Sequence, residues 1–179
     1  MSTAESPSSS QGSPFWRFSL RFYRQPGVAD ACIALQEEAG VDVNLLLFLL
    51  WHATHKRALA APEVTELEHR IATWRDTTVV PLRALRRALK SPPALVAPAT
   101  AELFRTRIKA AELEAERLQQ EAMYDLARSL LLGHDAPSLA DAARANVSGY
   151  AAMRGVAFPE TATETLLAAL SGLERKTEE

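Results

Sequence analysis

Apolar positions recur along most of this chain at helical steps, and one stretch is apolar on every side. Asp42 to Trp51 reads Asp-Val-Asn-Leu-Leu-Leu-Phe-Leu-Leu-Trp. Wound as a helix, it sets Leu45, Phe48 and Leu49 on one face and Leu46, Leu47 and Leu50 on others, so no solvent side remains. Such a helix, spanning Asp42 to His55, belongs at the centre of a bundle. Asp42 suits its N-cap, because a carboxylate there accepts from the free amides of the first turn and complements the helix dipole. Before it, aromatic and apolar residues from Phe15 to Tyr23 interleave with Arg17, Arg21 and Arg24 on a short helix. Val28, Ala31, Cys32, Leu35 and Ala39 then form an amphipathic helix closed by Gly40.

After the central run, Pro62 opens a helix with Val64, Leu67, Ile71 and Trp74 as its stripe. Pro81 should kink or restart it around Asp76 to Val80. Beyond that point Leu82, Leu85 and Leu89 point inward while Arg83, Arg86, Arg87 and Lys90 project outward. Ser91 to Pro98 holds three prolines in eight residues and reads as a rigid connector. The longest helix follows, from about Ala99 to Leu132, with Phe104, Ile108, Ala111, Ala115, Leu118, Ala122, Leu126 and Leu130 as its seam. Exposure of the alanines on that seam would predict self-association. Helices from Ser138 to about Arg154 and from about Glu160 to Arg175 complete the chain, and no alternating run predicts a sheet.

The pattern predicts an all-α, single-domain bundle of about seven helices around the buried central one. Residues 1–13, rich in Ser, Pro, Gly and Gln, read as a disordered tail. Residues 14–132 read as the helical core domain and 133–179 as a C-terminal helical extension.

Composition narrows this picture by exclusion. At 179 residues the chain can bury a core without a staple, and its formal net charge of -2 argues against general polyanion binding. A single cysteine, Cys32, excludes an intramolecular disulfide and fits a reducing, cytoplasmic setting. Asp42 and Asn44 enter the Leu-rich run and His52, His55, Lys56 and Arg57 leave it, so it is too short to cross a bilayer.

Four constellations could carry chemistry. His52 and His55, three apart on the central helix, could share a metal, but their spacing is not that of His-Glu-x-x-His. Glu112 and Glu116 share a face of the long helix and could bind a cation with His52 or His55; a charged seam against the basic helix is the plainer reading. Arg83, Arg86, Arg87 and Lys90, with Arg17 nearby, could grip phosphate, nucleic acid or an acidic partner, or could pair internally with Glu112 and Glu116. Asn44 sits in a buried helix and needs a fixed partner such as a loop carbonyl, because an unpaired buried amide costs ~1–3 kcal/mol.

Three segments together carry a resemblance. Phe15-Trp16-Arg17-Phe18-Ser19-Leu20 with Pro26-Gly27-Val28, the Asp42 to Trp51 run, and Trp74-Arg75 with Pro81-Leu82-Arg83 and Arg86-Arg87 resemble a family of small proteobacterial proteins known only as a domain of unknown function. The likeness spans Phe15 to Glu116 and fades beyond, which implies a variable C-terminal part. It implies no activity, cofactor or partner.

The reading that follows is a cytoplasmic helical interaction or adaptor protein, docking a protein partner through the Arg83 to Lys90 helix and the charged side of the long helix. A helical enzyme or metal-binding protein using Glu112, Glu116 and His52 or His55 is the alternative. Nucleic-acid or phosphate binding through the basic helix is the second. No cofactor is expected, and the oligomeric state is open.

Overall fold

In the computed structural model, which describes residues 12–178 and the side chains of 12–173, the apolar run forms α3 (Val43–Thr54). Leu45, Leu46, Phe48, Leu49 and Leu50 are wholly buried. Asp42 caps the helix, its Oδ1 accepting from the amides of Asn44 at 2.8 Å and Leu45 at 3.1 Å. The expected span of Asp42 to His55 thus shortens by one residue at each end, because those two residues are the caps. The expected tail of residues 1–13 lies outside the described residues except for Gly12 and Ser13. Ser13 is the N-cap of α1 (Pro14–Tyr23), its hydroxyl accepting from the Trp16 amide.

The remaining helices are α2 (Val28–Ala39), α4 (Ala61–Trp74), α5 (Val80–Ala88), α6 (Pro98–Ser129), α7 (Leu139–Arg154) and α8 (Glu160–Glu178). A π turn, Arg75–Val79, joins α4 to α5 without a break. Proline in mid-helix denies one carbonyl its donor and crowds the preceding turn; the wider turn just before Pro81 relieves that crowding. Counted as one rod, α4, the π turn and α5 bring the total among the described residues to seven, in an all-α bundle.

One small sheet departs from the expected pattern. Arg57–Ala58 (β1) pairs antiparallel with His134–Asp135 (β2), Arg57 opposite Asp135. Two-residue strands have no alternation for a sequence to reveal; they form here because the chain leaving α3 runs beside the chain leaving α6. The Arg57 guanidinium ties the two, donating to the carbonyls of Leu132 and Gly133 and to Asp135. Gly133 has φ +71°, and a Cβ there would sit 2.7 Å from the Ala58 carbonyl oxygen, so only glycine fits.

Helices α7 and α8 share the central core: α7 packs along α3, and α8 along α2. Tyr150 is fully buried, and its hydroxyl accepts from the Asp42 amide at 3.1 Å. No helix among the described residues is long and apolar enough to cross a membrane. The long helix α6 is the exception to simple burial. Its buried residues are Ala101, Glu112, Ala115, Gln119, Gln120 and Met123. Its apolar seam does not coincide with that face: Ala115 is buried, but Phe104, Ala111, Leu118 and Ala122 are exposed. The reason is that α6 turns a polar face inward, toward partners that are themselves charged or amide-bearing. On α5 no residue is buried, and Leu85, expected inward, is exposed.

Candidate functional site

The inward face of α6 meets α5, the π turn and the start of α3 in a chain of ion pairs. Glu112, one turn before Glu116, accepts from Arg83 Nε at 3.0 Å and from Arg86 through its Nε and Nη2. Arg83 also reaches Glu116 at 2.6 Å. Burial alone would push the Glu112 carboxyl up, but the Arg86 and Arg83 guanidiniums outweigh it and hold it below the ordinary range. Burial dominates at Glu116, whose carboxyl is raised despite Arg83. Beside them, Arg75 bonds Glu68 at 2.5 Å and approaches Asp42 at 3.5 Å, while Gln119 Nε2 donates to Asp42 Oδ2 at 3.1 Å. The α3 cap and the α5–α6 contact are therefore one polar layer.

The sequence-predicted residues divide accordingly. Arg83 and Arg86 lie together with Glu112 and Glu116, as internal pairs. Arg87 bonds Glu37 of α2 at 3.3 Å, and Lys90 has no ionic partner among the described residues. Arg17 turns to the Gly12 carbonyl at 2.8 Å rather than joining that group. Asn44 does find a fixed partner, but not the expected loop carbonyl: Gln120 Nε2 donates to its Oδ1 at 2.8 Å. His52 is buried edge-on to Phe48, ring centroids 4.6 Å apart, with Nε2 unpaired. His55 is the exposed C-cap of α3, its Nδ1 3.0 Å from the Trp51 carbonyl. Among the described residues no three His, Cys, Asp or Glu side chains gather as a metal site.

His52 has a consequence for pH. Burial, with the nearby His55 and Arg57 charges adding to it, lowers its pKa from 6.5 to about 4. As pH falls the unfolded chain takes up this proton first. The stability it permits is therefore whole above 6.5, declines through the window and levels off below about 4. Urea titrations should show a loss of about 2 kcal/mol from this residue between roughly pH 7.5 and pH 5. In His52→Gln that increment should vanish; an unchanged pH slope would mean that His52 takes up its proton in the fold at the same pH as in the unfolded chain.

Beside the ion pairs opens a cleft of about 690 Å³, within the range of small-molecule pockets. Trp16, Leu20 and Tyr23 of α1 and Ile33 of α2 line one wall, and Leu113 of α6 lies opposite. Val43, Asn44 and Leu47 of α3 and Gln120 of α6 line it more deeply, where Ser19 also faces it. Ser19 and Gln120 are 4% and 3% exposed, and Ser19 Oγ and Gln120 Oε1 have no hydrogen-bond partner. Cys32 also lines the cleft, but burial pushes its thiol up to about 12, so it is a protonated, weakly reactive group. The mouth carries Arg87, Lys90 and Lys109. Sequence reasoning reached the cations and Asn44 but missed Ser19, Gln119 and Gln120. The available signal was two adjacent glutamines one turn after a buried alanine.

No curated protein and no solved structure matches the chain. Residues 14–123, which run from the start of α1 to Met123 on the inward face of α6 and so include every residue of the ion-pair layer and the cleft, match the family model described as Protein of unknown function (DUF2390), and the chain belongs to that family.

Proposed function

We propose that this protein is a helical interaction protein whose docking surface is the outer stripe of α6, and that the surface receives α6 of a second copy. The supporting observation is the exposed stripe itself. Phe104 and Leu118 are 47% and 44% exposed, with Ala111 and Ala122 open beside them, at spacings of seven, seven and four residues along Phe104, Ala111, Leu118 and Ala122. That is the repeat of a helix–helix seam, and its alanines permit close approach. Charge favours an antiparallel pair. Arg107 lies beside the stripe near one end and Asp125 near the other, neither with an ionic partner among the described residues. Setting Ala111 opposite the partner's Leu118 matches small to large and brings Arg107 within a turn of the partner's Asp125.

The basic helix contributes less than its sequence suggests. Two of its four cations neutralise Glu112 and Glu116 and Arg87 pairs with Glu37, leaving Lys90 as its cation without an ionic partner among the described residues, which weakens a phosphate-backbone grip accordingly. Docking through Arg83 to Lys90 therefore gives way to docking on the neighbouring face.

Light scattering on the eluting protein tests the pairing. A dimer at micromolar concentration is expected, and Phe104→Glu with Leu118→Glu should weaken it by about a hundredfold through burial of like charges. Because both side chains are nearly half exposed in the single chain, helicity and melting temperature should hold. A wild-type monomer at high concentration, or a dimer indifferent to the two glutamates, would overturn the proposal.

A further inference from the structure

We propose that the cleft between α1, α2, α5 and α6 is a binding site for a small soluble amphipathic anion: an apolar body with a hydrogen-bonding group at its inner end and a carboxylate, phosphate or sulfonate at the other. The inner end is the first argument. A helical serine ordinarily returns its hydroxyl to the carbonyl one turn back, yet Ser19 Oγ has no partner. Gln120 uses its amide nitrogen on Asn44 and leaves Oε1 unpaired. Buried polar atoms without partners are rare, because each forfeits its hydration. Two residues that carry such atoms line one cleft, and together they match a ligand group that donates to Gln120 and either donates to or accepts from Ser19, such as a hydroxyl, amine or amide.

The mouth is the second argument. Five cations and three carboxylates line the cleft, Arg83 and Arg86 being occupied by Glu112 and Glu116 and Arg87 by Glu37. Lys90 and Lys109 remain without an ionic partner among the described residues, one just past the end of α5 and the other on α6, which packs against it. An anion between them completes the balance. The walls between mouth and inner end, Trp16, Leu20, Tyr23, Ile33 and Leu113, suit an apolar body.

Fluorescence titration of the full chain with two probes separates the parts of the proposal. Anilinonaphthalene sulfonate has an apolar body, an N–H and an anion; N-phenylnaphthylamine has the same body and N–H without the anion. The sulfonate should bind saturably at one site and more tightly than the neutral probe. Lys90→Glu with Lys109→Glu should weaken the sulfonate about tenfold and leave the neutral probe within about twofold. Ser19→Ala should weaken both about threefold while the free protein melts no lower than wild type, since an unpaired buried hydroxyl is removed. Leu113→Trp, at a half-exposed position, fills the cleft and should abolish binding of both without loss of helicity. Non-saturating uptake by the wild type, or equal affinities across the folded variants, would overturn the assignment.

Discussion

Asn146→Leu is expected to cost about 4 kcal/mol of unfolding free energy, the largest effect of any single substitution considered for this chain. Asn146 has no exposed surface. Its Oδ1 accepts from the Leu59 amide at 2.7 Å, and its Nδ2 donates to the carbonyls of Leu49 at 2.8 Å and Arg57 at 3.0 Å. One α7 side chain thus satisfies backbone groups of α3, of β1 and of the chain entering α4. Leucine is nearly isosteric, so the cavity effect is small. The cost comes from the Leu59 amide and the Arg57 carbonyl, each left dry and unpaired at ~1–3 kcal/mol. Val147→Ala, one residue along and also buried, should lose only the ~2 kcal/mol of two deleted methyls and the small cavity they leave. Urea denaturation followed by circular dichroism measures both. A loss for Asn146→Leu no larger than that for Val147→Ala would mean that the three bonds contribute no more than packing does.

Much of the frame was legible because it depends on near neighbours in sequence. Asp42 caps α3 through amides two and three residues on, and the Leu-rich run is buried because it has no polar side to turn outward. The π turn before Pro81 is equally local. What stayed hidden depends on residues far apart. Asn44 announced a need for a partner, but Gln120 lies 76 residues away, and no periodicity ties the two. Nothing local in the sequence marks Asn146, because its partners are three backbone groups elsewhere. The α6 seam left its own burial open, for a physical reason. Apolar periodicity locates the face that avoids water only when the buried contact is apolar, and here α6 meets Arg83, Arg86, Asp42 and Asn44 with Glu112, Gln119 and Gln120. The cleft is harder still, since its walls come from α1, α2, α5 and α6 over a bed of α3, and no single segment carries its signature.

Glu112→Leu should cost about 3 kcal/mol near neutral pH, because it strands the Arg86 guanidinium and leaves Arg83 with Glu116 as its one carboxylate. Arg83 and Arg86 are each 22% exposed at the side chain, against 7% for Glu112. They can recover part of their hydration, which places the effect at the lower end for a broken buried pair. Two further measurements separate charge from packing. Adding Arg86→Leu to Glu112→Leu should restore a good part of the loss, since a charge no longer waits unpaired and the two leucines can meet on the α5–α6 contact. The difference between wild type and Glu112→Leu should also shrink as pH falls. The carboxyl of Glu112 is held below its ordinary value of 4.5 in the fold, so its stabilising contribution is present above that value and is lost as pH drops through the lowered folded value. Glu116, raised by burial, has the opposite sign: its contribution is present at low pH and fades as pH rises through its raised value. It remains in both proteins, but the Glu112 charge is among the causes that raise it, so thermal melts of the pair at matched pH cancel it only in part. A difference that persists undiminished at about pH 3 would show that Glu112 acts through its methylenes against α5, and that the polar face of α6 is held inward by shape rather than by charge.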